Sequence, residues 1–533
     1  MKKRFAFILA LALMLLGITS CKPKCQHVDA NDDLKCDLCE KSYDDGTDCK
    51  HVDKDDDLLC DICNESYDDG IDNNQDNNNQ DDNQEDDNNQ DNNQEDDGNG
   101  DGSDVVIKET IEDVYELVDN VIPSELYEDI TLPRSFDDSE AYVVWTSSNE
   151  DIVTSNGFVR RQHKDVEISF EAKIDLNGEK YIRTIYTTVK KVELKPLENK
   201  KVVFAYLYGA YNYSGINEES LQYIDCINYS FGGILNGKAH VNDNSALREI
   251  LSFRHQGVRV SLALGGWGAD GFSQAVRTEE TREVFADSIL ELVKKYDFDG
   301  VDIDWEYPGS SAAGIVSHPS DKQNLNIFCE LLNTKLKQYR SDCLLTMAVP
   351  GNNLFDFANL KDNVDYFNLM TYDHSIGNSN AYHHTALYST SNTPASVNSA
   401  VNRLITYGCP KEKIVIGAAF YGRTALFSSQ SNMKLGAKLQ STLTQTYPYT
   451  QIEGAIKGGR YIEMFDEEAQ ANYIILDLGD KPGRFITYDG VQSIKAKCNY
   501  VKENDLAGIM FWEYTQDQNG TLVKTIGENI NTK

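Results

Sequence analysis

Three carboxylates recur at alternate positions in Asp302-Ile303-Asp304-Trp305-Glu306, inside the run Asp299 to Pro308. In an extended strand side chains alternate faces and rise about 3.3 Å per residue, so Asp302, Asp304 and Glu306 share one face within about 7 Å. Like charges that close cannot all ionise. At least one pKa rises and a proton is shared, the condition for a carboxylic acid that protonates a leaving group near neutral pH. A purely structural trio would demand three buried cations, and a divalent-metal site would demand His or further carboxylates on the neighbouring strands, which are not seen there. The chemistry indicated is general acid–base catalysis without a catalytic cofactor, with Glu306 as the acid.

Such a strand needs neighbours to hold it. From about Lys200 onward, apolar β-branched runs alternate with helical patterns, as a parallel α/β barrel requires. The expected strands are Val202 to Tyr208, Ile224 to Phe231, Val258 to Gly265, Gly300 to Glu306, Leu344 to Val349, Tyr366 to Thr371, Ile414 to Ala419 and Ala507 to Trp512. Eight strands predict a (β/α)8 TIM barrel over 200–533, and the gap of about 424–484 between strands seven and eight predicts a small α+β insertion. Chemistry in such barrels sits at the C-terminal strand ends, where the acid trio falls. Trp305 alternates away from the acids and is expected between barrel and helices.

The decapeptide Asp299-Gly300-Val301-Asp302-Ile303-Asp304-Trp305-Glu306-Tyr307-Pro308 resembles the signature of glycoside hydrolase family 18, the chitinases and related endo-N-acetylglucosaminidases. The resemblance extends through Asn228-Tyr229-Ser230-Phe231, Gly265-Gly266-Trp267, Met370-Thr371-Tyr372-Asp373, Phe420-Tyr421-Gly422-Arg423 and Met510-Phe511-Trp512-Glu513, covering roughly 200–525. It implies retention of configuration by substrate-assisted catalysis, with the acetamido oxygen of the substrate attacking the anomeric carbon. By the same resemblance Glu306 is acid and then base, Asp304 holds the acetamido N–H, Asp302 shares a proton with Asp304, and Tyr372 bonds the acetamido carbonyl. Trp512, two residues from inward-facing Met510, floors the subsite of the reacting sugar, Met370 on the strand face of Tyr372 is a further substrate-binding residue, Trp267 and Tyr206 are cleft residues or rim packing, and Asp373 and Arg423 contact sugar hydroxyls. The insertion after Phe420 to Arg423 favours chitin. The alternatives are endo-β-N-acetylglucosaminidase action on N-glycans or peptidoglycan, and a non-catalytic surface lectin. Ala263 stands where the family usually has Ser, so Asp302 is expected to be less well solvated and the pH optimum shifted.

The formal charge of −36 is concentrated near the N-terminus: residues 29–104 hold 29 Asp and Glu against 4 Lys. That balance excludes nucleic acid as a partner and suits a neutral glycan. Residues 1–21 read as a signal segment, with Lys2-Lys3-Arg4 ahead of the apolar run Phe5 to Leu16, and Ile18-Thr19-Ser20-Cys21 resembles a lipobox that would make Cys21 the lipid attachment site. An extracellular, membrane-anchored lipoprotein acting as a monomer is expected. Within 22–70 a 24-residue repeat supplies Cys25, His27, Cys36 and Cys39, then Cys49, His51, Cys60 and Cys63, two ligand sets suited to structural zinc; disulfides, and more weakly calcium, are the alternatives. Residues 71–104, rich in Asn, Asp, Gln and Glu, read as a disordered tether. Residues 105–195 read as a short helix and six or seven strands of an all-β sandwich. There Ile130 to Pro133, Trp145 to Asn149 and Asn156 to Arg160 resemble bacterial Ig-like modules; Trp145 is expected in its core, and the module as a spacer. Cys226, Cys329, Cys343, Cys409 and Cys498 are expected to be buried apolar residues, with one bridged pair as the alternative.

Overall fold

Eight strands close on themselves in the C-terminal part of the chain: Val202–Tyr208, Cys226–Leu235, Arg259–Gly265, Gly300–Asp304, Leu344–Val349, Tyr366–Leu369, Ile414–Ala419 and Gly508–Trp512. Every neighbouring pair is parallel, and strand one pairs with both strand two and strand eight. This computed structural model describes residues 109–137, 139–209, 216–479 and 481–532. The signal segment, the Cys/His repeats and the acidic tether lie outside the described residues. The strands are buried on both faces, as runs such as Val202-Val203-Phe204 and Ile414-Val415-Ile416 require of a sheet covered by helices. Phe204, Tyr206, Cys226, Ala263, Leu344, Val415 and Met510 share one core inside the barrel. The five described cysteines are free and buried, so no pair is bridged.

Strands four and six are shorter than their apolar runs suggest, ending at Asp304 and Leu369. The strand six–seven ladder stops at Leu369 opposite Ile416. Above it the Thr371 hydroxyl takes over, accepting from the Gly417 N–H at 2.7 Å and donating to the Gly417 carbonyl at 2.8 Å. Glu306 and Tyr372 therefore ride on backbone that has left the ladder.

The insertion runs from Tyr421 to Tyr488, a few residues wider at each end than the gap between runs implies. It holds a five-stranded antiparallel sheet (Tyr421–Leu426, Gln445–Pro448, Met464–Asp466, Ala471–Leu478, Lys481–Tyr488) and the helix Tyr449–Lys457.

The Ig-like module differs from the expected sandwich of six or seven strands. It has the helix Ile111–Asp119 and one four-stranded sheet, Glu125–Leu126, Tyr142–Ser147, Val166–Leu176 and Glu179–Val189. The segments around Pro133 and Gly157 make only the isolated bridges Ser135–Tyr142 and Val153–Val159. The module buries Trp145, whose Nε1 donates to the Pro133 carbonyl at 2.7 Å.

The module is also bonded to the barrel through buried charge. The His163 N–H donates to Asp297 at 2.7 Å, and His163 Nδ1 lies 2.6 Å from the other Asp297 oxygen. Arg254, fully buried, donates to the Arg161 carbonyl, to Asp297 at 3.0 Å and to Asp299 at 2.8 Å. Asp297 follows the helix Glu279–Tyr296 at φ 53, where glycine is the least strained residue. An aspartate there makes sense through its side-chain bonds. Asp299 immediately precedes strand four, so the module grips the base of the strand that carries the acids.

Candidate active site

Parallel register places Asp302 beside Ala263 on strand three and Thr346 on strand five, and Asp304 beside Gly265. Asp302 has no exposed surface. Its Oδ1 accepts from the Thr346 hydroxyl at 2.5 Å and from Asn368 Nδ2 at 3.0 Å, and its Oδ2 accepts from the Tyr206 hydroxyl at 2.9 Å. Without a hydroxyl at Ala263, Asp302 has three donors, none of them from strand three. The under-served acid is Asp304, whose Oδ1 is buried without a hydrogen-bond partner.

Burial pushes Asp302 up to about 6, against the pull of Thr346, Tyr206 and Asn368. Burial raises Asp304 well above the ordinary aspartate range, and the charges of Glu306 and Asp302 raise it further. Glu306 is also raised, first by burial; the Tyr307 hydroxyl pulls it down and the Asp373 charge pushes it up. All three carboxyls are thus shifted toward the protonated form, chiefly by burial, the direction that crowding them on one strand face implies.

Glu306 is half-buried and opens, with Asp304, into a cleft of about 1400 Å³ at the C-terminal strand ends. The same cleft is lined by Tyr206, Trp267, Met370, Tyr372, Asp373, Arg423 and Trp512, so the structure brings the proposed site residues of the barrel together. Trp512 stacks on Phe231 at 5.6 Å and 18° and borders Tyr206 at 5.9 Å. Trp267 is 66% exposed, with only the edge of Tyr307 beside it at 6.3 Å, and thus offers a free ring face at the rim. Tyr206 reaches from the barrel floor to Asp302 and is no rim residue. Trp305 is fully buried and stacks on Phe272 at 5.2 Å, on the helical side.

Asp373 and Arg423 form a two-pronged pair at 2.8 and 2.6 Å that joins the end of strand six to the insertion. Burial would raise Asp373, but hydrogen bonds with His384 and Arg423 hold it well below the ordinary carboxylate range. Its negative charge is therefore permanent at working pH. Arg423 is an ion-paired wall of the cleft and not a free loop cation. Sequence reasoning missed Thr346 and Asn368, although both are polar residues at inward positions of barrel strands. It also missed Phe231, Tyr307 and His384, which carry no comparable periodic signal. Among the described residues no group of three His, Cys, Asp or Glu side chains is placed to hold a metal, and no helix is long and apolar enough to cross a membrane.

Residues 202–517 match the family model of glycosyl hydrolases family 18, and 108–192 match the atrophied bacterial Ig domain. The chain is 30% identical over 306 residues to chitinase A1 of Niallia circulans, covering 52% of this chain and 43% of that protein. It is 28% identical over 317 residues to chitotriosidase-1 of Mus musculus, covering 53% and 65%. The chain thus spans between 43 and 65% of the length of these relatives. Among solved structures, the family 18 N-acetylglucosaminidase of Paenibacillus barengoltzii is 32% identical with a TM-score of 0.57, covering 62% of this chain and 99% of that one. The match across all eight strands and the insertion spans more than half of the sequence, and the chain belongs to glycosyl hydrolases family 18.

Proposed function

We propose that this chain is a chitinase, hydrolysing β-1,4 linkages between N-acetylglucosamine units with retention. One observation carries the reading: the acids of strand four run from a buried Asp302 with three hydrogen-bond donors, through an Asp304 with an unpaired oxygen, to a Glu306 open to an aromatic-lined cleft. In this mechanism Glu306 gives its proton to the glycosidic oxygen while the substrate's acetamido oxygen bonds the anomeric carbon and the leaving sugar departs. Asp304 Oδ1 takes the acetamido N–H, which supplies the donor it lacks and offsets the positive charge of the oxazolinium ring. The Tyr372 hydroxyl donates to the acetamido carbonyl oxygen and aims it. Glu306, now ionised, removes a proton from the water that reopens the ring.

The test is hydrolysis of a chromogenic chitobioside and of chitin hexamer. The wild type is expected to turn over, and Glu306→Gln to lose at least about a hundredfold in kcat while still binding oligosaccharide. A wild type as inactive as Glu306→Gln would leave only glycan binding, the lectin alternative. N-glycan and peptidoglycan substrates in the same assay discriminate the endo-acting alternatives.

The same reading includes an extracellular enzyme, monomeric and anchored through a lipid on Cys21, with structural zinc held by Cys25, His27, Cys36 and Cys39 and by Cys49, His51, Cys60 and Cys63. Sequence alone supports these features. Palmitate labelling lost in Cys21→Ala, and zinc content near two per chain that free-thiol titration shows not to be disulfide, are the expected results.

A further inference from the structure

Lys497, on the helix Val491–Glu503, has no exposed side-chain surface, and neither has its partner Asp489, 2.5 Å away. All three ammonium hydrogens are used: on Asp489 Oδ2, on the Thr385 hydroxyl at 2.6 Å and on the Gly417 carbonyl at 3.3 Å. A buried ion pair is weak evidence for stability, since desolvation offsets its attraction, and a role in fixing one arrangement is the alternative to examine.

What this pair fixes is visible in its contacts. Asp489 Oδ2 accepts the Ala419 N–H at 2.9 Å, at the end of strand seven. The Thr385 hydroxyl has a single hydrogen and two acceptors near it, the Thr371 carbonyl at 3.0 Å and Asp489 at 3.1 Å. Asp489 Oδ2 is already occupied by Lys497 and Ala419, which directs that hydrogen to Thr371. Lys497 thus holds Gly417 directly and Thr371 through Thr385, at the level where the backbone ladder has ended. Tyr372 is the next residue, and its ring lies so close to Gly417 that a Cβ there would sit 2.8 Å from Tyr372 Cε1. The Tyr372 ring also meets the buried Tyr421 edge-on at 6.2 Å, and its hydroxyl is 4.0 Å from Met510 Sδ.

We infer that Lys497, with Asp489 and Thr385, is a positioning residue for Tyr372, setting where its hydroxyl meets the substrate's acetamido group. The inference rests on the chitinase reading above. Lys497→Met alone would strand a buried carboxylate, so the tests are Lys497→Met combined with Asp489→Asn, and Thr385→Val, each checked by thermal melting. Both are expected to fold and to lower kcat about 10- to 100-fold on chitobioside with KM little changed, as a misplaced reacting group does. In a Tyr372→Phe background the same changes are expected to cost little more, because they act through the hydroxyl already removed. Unchanged kcat in either folded variant, or a full additional loss on top of Tyr372→Phe, would overturn the assignment. A parent chain that fails to turn over would overturn the chitinase reading as well, and is seen before any variant is compared.

Discussion

Exchanging Asp302 for asparagine removes a titrating group while keeping most of its surroundings. The amide oxygen can still accept from Thr346 and Asn368, and the Tyr206 hydroxyl can turn to accept from the amide nitrogen. In the wild type, burial raises the Asp302 carboxyl from 3.8 to about 6. The folded protein therefore binds this proton more tightly than the unfolded chain does. The stability this group contributes is present below about pH 4 and is lost as pH rises through about 6. About two units at about 1.36 kcal/mol each put the penalty near 3 kcal/mol at pH 8. Asp302→Asn escapes that penalty, so it is expected to be more stable than wild type at pH 8 by up to about 3 kcal/mol and no more stable at pH 4. With an unfolding entropy of about 2.1 cal/mol/K per residue and about 430 residues, the gain in Tm is about 3 °C. Differential scanning calorimetry of both proteins at both pH values reads this, alongside chitobioside hydrolysis, which is expected to fall. Equal Tm shifts at pH 4 and pH 8, or a lower Tm at pH 8, would refute the claim that Asp302 is ionised at a cost.

Ala263→Ser would place a fourth hydroxyl or amide donor beside Asp302, in register with it, and a further charge-assisted bond lowers its pKa by about one unit. The acid limb of kcat/KM should move down correspondingly with activity retained, and an unmoved limb counts against the register argument. Asp373→Asn removes a charge that raises Glu306, so the basic limb, where the acid loses its proton, should move to lower pH by less than about one unit; movement upward would exclude Asp373 as a source of that shift. The buried charges between the Ig-like module and the barrel predict a single calorimetric transition for both, and His163→Ala should destabilise it by about 1–2 kcal/mol, with His163→Asn, which keeps a donor near Asp297, recovering part of the loss. Two well-separated transitions in the wild type would show the module to be an independent spacer.

The barrel and the acid trio were legible because both obey short periods. Alternation placed Asp302, Asp304 and Glu306 on the inner face and Trp305 outside, and the burial of Trp305 against Phe272 follows from that parity alone. Where the physics is local to a turn or distant in sequence, the reading ran out. The early ends of strands four and six depend on a Thr371 side chain substituting for backbone pairing, which no apolar run reveals. The Ig-like segment contains enough alternating residues for a sandwich, yet the pieces around Pro133 and Gly157 only bridge, because strand pairing is decided by partners elsewhere in the chain. The clamp from His163 to Asp297 joins residues 134 apart, and Lys497 looked like any helix lysine.

The donors around the acids are graded along the strand, and the grading gives the trio a direction. Asp302 has three donors, Asp304 has a bare oxygen, and Glu306 faces the cleft. Negative charge is best accommodated at the innermost position, so in the empty site the retained proton belongs toward Asp304 and Glu306. An acetamido N–H arriving at Asp304 supplies the missing donor and makes charge there less unfavourable, which leaves Glu306 as the place where a proton can remain. A substrate lacking that N–H would leave the grading unchanged and the acid unprepared. On the chitinase reading, selectivity for N-acetylated sugars is therefore expected to follow from proton placement.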